Sequence, residues 1–348
     1  MVDKLNSEGV YFTSQQADYM VSAYAESQAR NKSIALNWGI PSLDIAGVPL
    51  FPGQVAVIQA CSHEGKTTFM SWEVRRIANM LKIAGVRADG AKPVIVYAKN
   101  EETVELARVM TWGEASDFKK IATGMASHED ISRISSSLAG DPIVYLGIAV
   151  MAETVMATNP KSMRLSPSKL FAIHNRLISD MNYIPVAYMI DGLQLMQSDG
   201  DEPEKWRQVL SISNDIVSFA KYSKAALICT AQSKLNEVKS RKKDDRTPRL
   251  DDIQHSSQIA QDADVVIGLW KPSNDPDVKV GYDVVHIRDS ELIVRQDMVV
   301  GAVCKYRLTN LVGTHNNRFL LSIFAGGIYG NIVEIPIASH RISTAVTG

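Results

Sequence analysis

The run Val55-Ala56-Val57-Ile58-Gln59-Ala60, continuing through Cys61-Ser62-His63-Glu64 to Gly65-Lys66-Thr67-Thr68, restricts the fold more than any other stretch of this chain. Six residues with a single polar member read as a strand buried on both faces. Such a strand, passing through a short loop into helix-compatible sequence, is one half of a parallel α/β unit. The loop carries the parts that hold phosphate: backbone amides at a helix start, a lysine for the terminal phosphates and a hydroxyl for a magnesium ion. Gly65, Lys66 and Thr67 supply the closing positions. Ser62, Glu64 and Thr68 lie in the same cradle, and Ala60 stands where a first glycine is usual. A Gly-Lys-Thr in a surface turn also arises by chance, but chance matches rarely follow a strand and precede a helix.

The rest of the chain alternates short apolar runs with longer helical stretches, the pattern of a mainly parallel sheet covered by helices. Strands are expected at 55–60, 93–98, 143–146, 185–190, 225–230, 265–270, 298–304 and 319–324. Residues 239–252 are dense in charge and residues 271–283 are rich in Pro, Asp and Asn, so both read as loops. Residues 14–30 contain no Gly or Pro and place Ala17, Met20, Val21 and Tyr24 on one helical face. That helix either packs on its own domain or docks as an arm on a neighbouring subunit. Met151, Met156 and Met163 read as core filler, with a partner groove as the alternative.

Composition sets the class. With 348 residues, 45% hydrophobic and 22% charged, the chain can bury one large or two modest cores. No apolar run approaches the ~20 residues that span a bilayer, and the amino terminus lacks the layout of a signal peptide, so a cytoplasmic protein with no membrane partner is expected. Cys61, Cys229 and Cys304 are far apart and odd in number, which argues against a disulfide framework or a zinc site. A net charge of −1 means that any nucleic-acid contact needs a local basic patch.

Three further segments fit phosphate chemistry. Pro185-Val186-Ala187-Tyr188-Met189-Ile190-Asp191 is a buried strand ending in a carboxylate, suited to share magnesium with Thr67 or simply to start a turn. Val94-Ile95-Val96-Tyr97-Ala98-Lys99-Asn100-Glu101-Glu102 ends in two carboxylates. Glu101, with Glu102 as the alternative, is the candidate base for an attacking water, and both also suit the first turn of a helix. Ala225-Ala226-Leu227-Ile228-Cys229-Thr230-Ala231-Gln232 ends in a side chain that can sense a terminal phosphate or cap a turn. After it come Lys239, Arg241, Lys242, Lys243, Arg246 and Arg249, either a solvated loop or a nucleic-acid contact.

Taken together, these segments resemble the helicase domain of the DnaB-type replicative DNA helicases of bacteria and phages, within the RecA-like ATPases. The most specific stretch is Asp251-Asp252-Ile253-Gln254-His255-Ser256-Ser257-Gln258-Ile259-Ala260-Gln261-Asp262-Ala263-Asp264-Val265-Val266. Met189-Ile190-Asp191-Gly192-Leu193-Gln194-Leu195-Met196 is similar to the family's second nucleotide motif, and Ala231-Gln232-Ser233-Lys234-Leu235-Asn236 to its phosphate-sensing motif. Asn100-Glu101-Glu102-Thr103-Val104-Glu105 resembles the catalytic-glutamate segment of phage primase-helicases, and Cys304-Lys305-Tyr306-Arg307 the family's Lys-x-Arg pair. The similarity runs from about residue 39 to residue 324.

The resemblance implies a RecA-like P-loop NTPase domain at 34–335, preceded by an arm at 1–33 and followed by a tail at 336–348. It implies ATP and Mg²⁺ as cofactors, with Lys66 and the loop amides on the phosphates, Thr67 and Asp191 on the metal, Glu101 on water and Gln232 coupling hydrolysis to movement. Lys305 and Arg307 would reach a neighbour's γ-phosphate in a hexameric ring, and the basic segment 239–249 would line a channel for single-stranded DNA. A loader or other replisome protein is a further implied partner. The chain departs from the family in lacking sequence for its amino-terminal helical collar and an acidic pattern around residues 147–164. Rival expectations are a recombination or clock-type ATPase of the same superfamily, and a scaffold that uses nucleotide only to assemble on DNA.

Overall fold

The computed structural model describes residues 35–87, 89–99, 120–121, 123–138, 140–147, 164–200, 203–254, 258–287, 290–309, 311–312, 318–323 and 332–335. The expected helix at 14–30, Glu101, Glu102, Met151, Met156 and Met163 lie outside them, as do the proposed arm and tail.

The first half of the chain folds as α1 (Pro41–Ile45), β1 (Val55–Ala60), α2 (Lys66–Ala84), β2 (Lys92–Lys99), α3 (His128–Leu138), β3 (Ile143–Gly147), α4 (Pro167–Ser179) and β4 (Tyr183–Asp191). The second half adds α5 (Lys205–Ser223), β5 (Ala226–Gln232), α6 (Leu235–Lys239), α7 (Gln258–Asp262), β6 (Val265–Trp270), β7 (Val284–Ile287) and β8 (Ser290–Ile293). The chain then runs through β9 (Met298–Tyr306), β10 (Leu311–Val312), β11 (Arg318–Ile323) and β12 (Ile332–Glu334). Each of the eight expected strands is present. Several run further than their apolar cores, because pairing carries the backbone past the last hydrophobic residue: β5 continues to Gln232, which lies in register with Ala60.

The described strands of the main sheet run in the order β12-β11-β9-β6-β1-β5-β4-β2-β3, with β10 beside β9. From β6 to β3 the neighbours are parallel, and from β6 outward through β9, β11 and β12 they are antiparallel. The sheet is therefore mixed, with β1 between β5 and β6 at its centre. Every residue of β1 is buried. Ala56, Ile58 and Ala60 join a core with Trp38, Phe69, Met70, Val74 and Ile77 under α2. Val55 and Val57 join the opposite core with Leu170, Ile212, Ile216 and Phe219 under α4 and α5. This is the helix-sheet-helix layering that apolar parallel strands require.

The β7–β8 hairpin, absent from the sequence-based expectation, covers a third core built on Trp270, Met298, Val300 and Leu320. Residues 239–252 are more than a loop. Thr247 and Pro248 are buried, and the Pro248 carbonyl lies against the sheet where β6 has Gly268. A β-carbon at position 268 would stand 2.5 Å from Pro248 O. The three cysteines are buried and unpaired with one another. No helix among the described residues is long and apolar enough to cross a membrane.

Overpacking of a well-filled site typically costs 1–3 kcal/mol. Gly268→Ala is therefore expected to lower unfolding stability by ~1–3 kcal/mol, with residues 246–250 displaced from the sheet. Urea denaturation measures the first effect, and increased amide exchange in that segment reports the second.

Candidate functional site

β1 delivers its loop to the carboxyl edge of the parallel strands, the position at which open α/β sheets bind ligands. Here Gly65 has φ +97°, a left-handed conformation open to glycine, and precedes α2 without any side-chain cap. The first amides of α2 are thus left available for an anion. Lys66 Nζ donates to Ala60 O at 2.7 Å and Cys61 O at 2.6 Å, folding the lysine over the loop. Burial lowers the Lys66 pKa, opposed by the nearby Glu64 and Asp191 carboxylates.

Asp191 ends β4 with its carboxylate held on both oxygens. Thr67 Oγ1 donates to Oδ2 at 2.7 Å, and Thr230 Oγ1 on β5 donates to Oδ1 at 2.8 Å. The side chain is 8% exposed, so two hydroxyls and little water fix its orientation. A hydroxyl and a carboxylate in contact are a hard oxygen donor set of the kind magnesium takes. Thr67 and Asp191 thus meet as the sequence led us to expect. Thr230 was missed, although a threonine inside an otherwise apolar strand was a visible signal. Lys99, buried at the end of β2 and in register with Asp191, was also passed over.

Gln232 Nε2 donates to Ser62 Oγ at 2.8 Å, and Ser233 N donates to Ala60 O at 3.0 Å, so the end of β5 is tied to the phosphate loop. Glu64 turns inward. Its carboxylate accepts the Cys61 N–H at 3.0 Å beneath the loop, and burial pushes its pKa from 4.5 up to about 7. His63 faces outward with φ +65°, and its carbonyl accepts a hydrogen bond from Asn274 Nδ2 at 2.6 Å. Thr68 lies one residue further along the first turn of α2.

Lys305 and Arg307 stand at the other edge of the sheet. β9 runs antiparallel to β6, which carries Tyr306 to Val265, and Arg307 N donates to Asp264 O while Asp264 Oδ2 accepts from Val55 N. Arg307 therefore sits beside the first residue of β1 and the phosphate loop beyond the last, about 17 Å apart at ~3.3 Å per residue. Lys305 Nζ donates to Ala260 O at 3.0 Å and Gln261 O at 2.5 Å. Arg307 donates to Gln261 O and Asp262 O at 3.1 and 2.8 Å and pairs with Asp264 at 3.1 Å. Both cations thus hold the carboxyl end of α7, the end where a helix dipole favours positive charge.

The expectation that six basic residues face solvent together is corrected for two of them. Arg246 is 7% exposed, and donates to Asp275 at 2.7 and 2.8 Å and to Asp277 at 2.8 Å. Arg241 pairs with the buried Asp252 at 2.5 Å. Their charges are turned inward because Asp275 and Asp252, once buried, need a partner. Lys239, Lys242, Lys243 and Arg249 remain exposed, with Arg249 paired to Asp245 at 2.6 Å and Lys243 3.8 Å from Asp283.

The sequence profile of the DnaB-like helicase C-terminal domain matches residues 35–303. The chain belongs to that family. The replicative DNA helicase DnaB of Pasteurella multocida strain Pm70 is 25% identical over 256 residues, 72% of this chain and 49% of that relative. DnaB of Helicobacter pylori strain J99 is 33% identical over 96 residues, 28% of this chain and 19% of the relative. This DnaB-family chain thus spans about half the length of the first of these relatives. Its fold is shared with a solved ATPase domain, with a TM-score of 0.64 at 18% identity over 93% of this chain and 100% of that one. A DnaB-like replicative helicase, solved with attention to its interactions with primase, superposes with a TM-score of 0.62 at 19% identity, covering 92% and 66%.

The raised pKa of Glu64 makes stability depend on pH with a definite sign. Between pH 4.5 and about 7 the folded chain keeps a proton that the unfolded chain releases, so stability falls as pH rises through that window and levels off above it. Glu73, wholly buried beside Arg76 and likewise raised to about 7, acts in the same direction. Glu64→Gln is expected to leave stability near wild type at pH 5 and to raise it at pH 8 by up to ~3 kcal/mol, from 1.36 kcal/mol per unit. Denaturant titrations at the two pH values measure this; an equal effect at both would be contrary to it.

Proposed function

We propose that this chain is the motor domain of an ATP-driven translocase that tracks on single-stranded DNA and unwinds duplex, working as a ring of identical subunits. The observation that carries the reading is the division of the phosphate machinery between opposite edges of one sheet. The loop with Lys66, Thr67 and Asp191 is at the carboxyl edge, while Lys305 and Arg307 lie about 17 Å away at the other, beyond side-chain reach of it. Two basic residues so placed can meet a loop-bound nucleotide only on another copy. A head-to-tail interface that repeats in this way closes into a ring or continues as a filament. The hexameric ring is the form that the family resemblance favours.

In this mechanism the α2 amides and Lys66 hold the β- and γ-phosphates of ATP, Lys66 leaving the Ala60 and Cys61 carbonyls to do so. Thr67 and Asp191 would hold Mg²⁺, which neutralises charge on the phosphates when bound. Thr230 keeps the Asp191 carboxylate aimed. Glu101 orients and deprotonates the attacking water, with Glu102 as the alternative. Gln232, already joined to Ser62, responds to the presence of the terminal phosphate. Arg307 and Lys305 leave the α7 carbonyls to stabilise charge on the neighbour's phosphate, where such a group is typically worth ~10³-fold or more. The exposed Lys239, Lys242, Lys243 and Arg249 contact the DNA backbone. A loader or other replisome protein and a cytoplasmic setting complete the reading.

Mixing two inactive proteins tests the shared site. Lys66→Ala and Arg307→Ala rings should each hydrolyse ATP at least ~10²-fold more slowly than wild type. After subunits exchange in a 1:1 mixture, about a quarter of interfaces join an intact loop to an intact finger, so hydrolysis should return to about a quarter of the wild-type rate. A mixture no faster than its components would rule out catalysis across the interface.

The basic segment makes its own prediction. For single-stranded DNA the slope of log K against log salt changes by about 0.7 per phosphate contact. Lys242→Ala should therefore flatten the slope by ~0.7 for each subunit in contact with DNA, without altering thermal stability. Arg246→Ala should instead destabilise the fold by ~3 kcal/mol or more, through the carboxylate left unpaired at Asp275. Fluorescence anisotropy across a salt series, combined with denaturation curves, separates the two; an unchanged slope in Lys242→Ala removes that residue from the DNA face.

A further inference from the structure

Asn274 closes the short turn Pro272–Asn274 after β6, and its side-chain amide grips the phosphate loop at the His63 carbonyl, 2.6 Å away. His63 is one of three described non-glycine residues with positive φ, a conformation that costs of order 1–3 kcal/mol and persists only where neighbouring contacts hold it. The residue after Asn274 faces the other way. Asp275 is 7% exposed and accepts two hydrogen bonds from the buried Arg246, while Asp277 accepts a third. The turn between is braced internally: Asn274 N donates to Lys271 O, Asp275 N to Pro272 O, Val278 N to Asp275 O and Asp277 N to Asp275 Oδ1. Arg246 Nε then donates to Arg241 O at 3.3 Å. One rigid turn thus touches the phosphate loop through Asn274 and holds the basic segment through Asp275 and Asp277.

We propose that Asn274 is a positioning residue that reports the nucleotide state of the phosphate loop to the basic segment 239–249. When phosphate is drawn into the loop, the peptide at His63 is displaced or fixed. Asn274 transmits that change to the turn, and the buried Asp275–Arg246 contact carries it on because a buried, doubly hydrogen-bonded pair has little slack to absorb it. The exposed Lys242, Lys243 and Arg249 then move with Arg246. The proposal rests on the nucleotide reading of the loop and is independent of whether the basic segment meets DNA. A second connection, from Ser62 through Gln232 to Gln254, Asp252 and Arg241, leaves the Asn274 contact untouched.

Amide hydrogen exchange on the full chain, with and without a non-hydrolysable ATP analogue and Mg²⁺, tests this on wild type, Asn274→Ala and Asn274→Gln. In wild type the analogue should alter exchange in residues 61–68, 271–278 and 239–249 together. Asn274→Ala should keep the response at 61–68 and lose more than half of it at 239–249, and Asn274→Gln, which retains the donor, should restore it. A merely structural staple would change exchange in the nucleotide-free protein and leave the nucleotide-dependent difference at 239–249 intact. That outcome overturns the proposal, as does a wild type in which 61–68 responds and 239–249 does not. If 61–68 shows no response in wild type, the nucleotide reading fails and the proposal falls with it.

Discussion

β1 is buried on both faces and hydrogen-bonded along both edges, to β5 on one side and β6 on the other. A strand so enclosed has no freedom in register: slipping it by one residue would move Ala56, Ile58 and Ala60 from the α2 core into the α5 core, exchanging small and large side chains in both. Its end, and hence the start of the phosphate loop, is therefore fixed relative to the ends of β4 and β5. Gln59, the lone polar residue of the strand, reinforces this. It is fully buried, and its amide donates to Arg249 O at 2.8 Å, so the strand that launches the loop also receives the basic segment.

The electrostatics of the site follow from that enclosure. Asp191, Lys66 and Glu64 are held close together with little water, yet each is satisfied: Asp191 by two threonine hydroxyls, Lys66 by two carbonyls, Glu64 by a loop amide. None of these contacts uses the amides at the start of α2. The cradle is thus ordered without the amides at the start of α2 being consumed, and in the proposed mechanism Lys66 is the cradle residue that exchanges partners. Exchange of that kind is inexpensive, since neutral carbonyls are weaker partners for an ammonium than phosphate oxygens are.

The parallel half of the sheet was legible because burial on both faces leaves an apolar run in the sequence, and the loop residues followed from their chemistry. The β7–β8 hairpin was not: Val284-Val285-His286-Ile287 and Ser290-Glu291-Leu292-Ile293 bury one face of four residues each, too short a pattern to stand out beside the charges around them. Thr230 and Gln59 each stand out as a single polar residue in an apolar strand, but nothing along the chain names the group that each meets, Asp191 for one and the Arg249 carbonyl for the other. The basic segment misled because charge counted along a chain says nothing about partners 29 and 31 residues away, which is where Asp275 and Asp277 lie from Arg246. The position of Lys305 and Arg307 depended on the direction of β9. A parallel β9 would have carried them to the loop edge, and the antiparallel pairing with β6 carries them to the far one.

Pairing the buried Arg246 and the half-buried Arg241 with carboxylates is not the most stable way to fill that space. Such pairs seldom gain net stability over apolar replacements, because desolvation offsets the attraction, whereas removing one partner costs about 3–5 kcal/mol. Their effect is to make the segment's position all-or-none. An apolar plug tolerates sliding by fractions of an ångström, but Arg246 with three charged hydrogen bonds, and Arg241 with Asp252, have one good geometry each. A segment pinned in this way moves as a unit with whatever holds its carboxylates. Asp252 sits beside the continuation of β5 and Asp275 beside the continuation of β6, the two strands that flank β1. The basic segment is thus anchored to both sides of the phosphate loop, by Arg241 on the β5 side and by Arg246 on the β6 side.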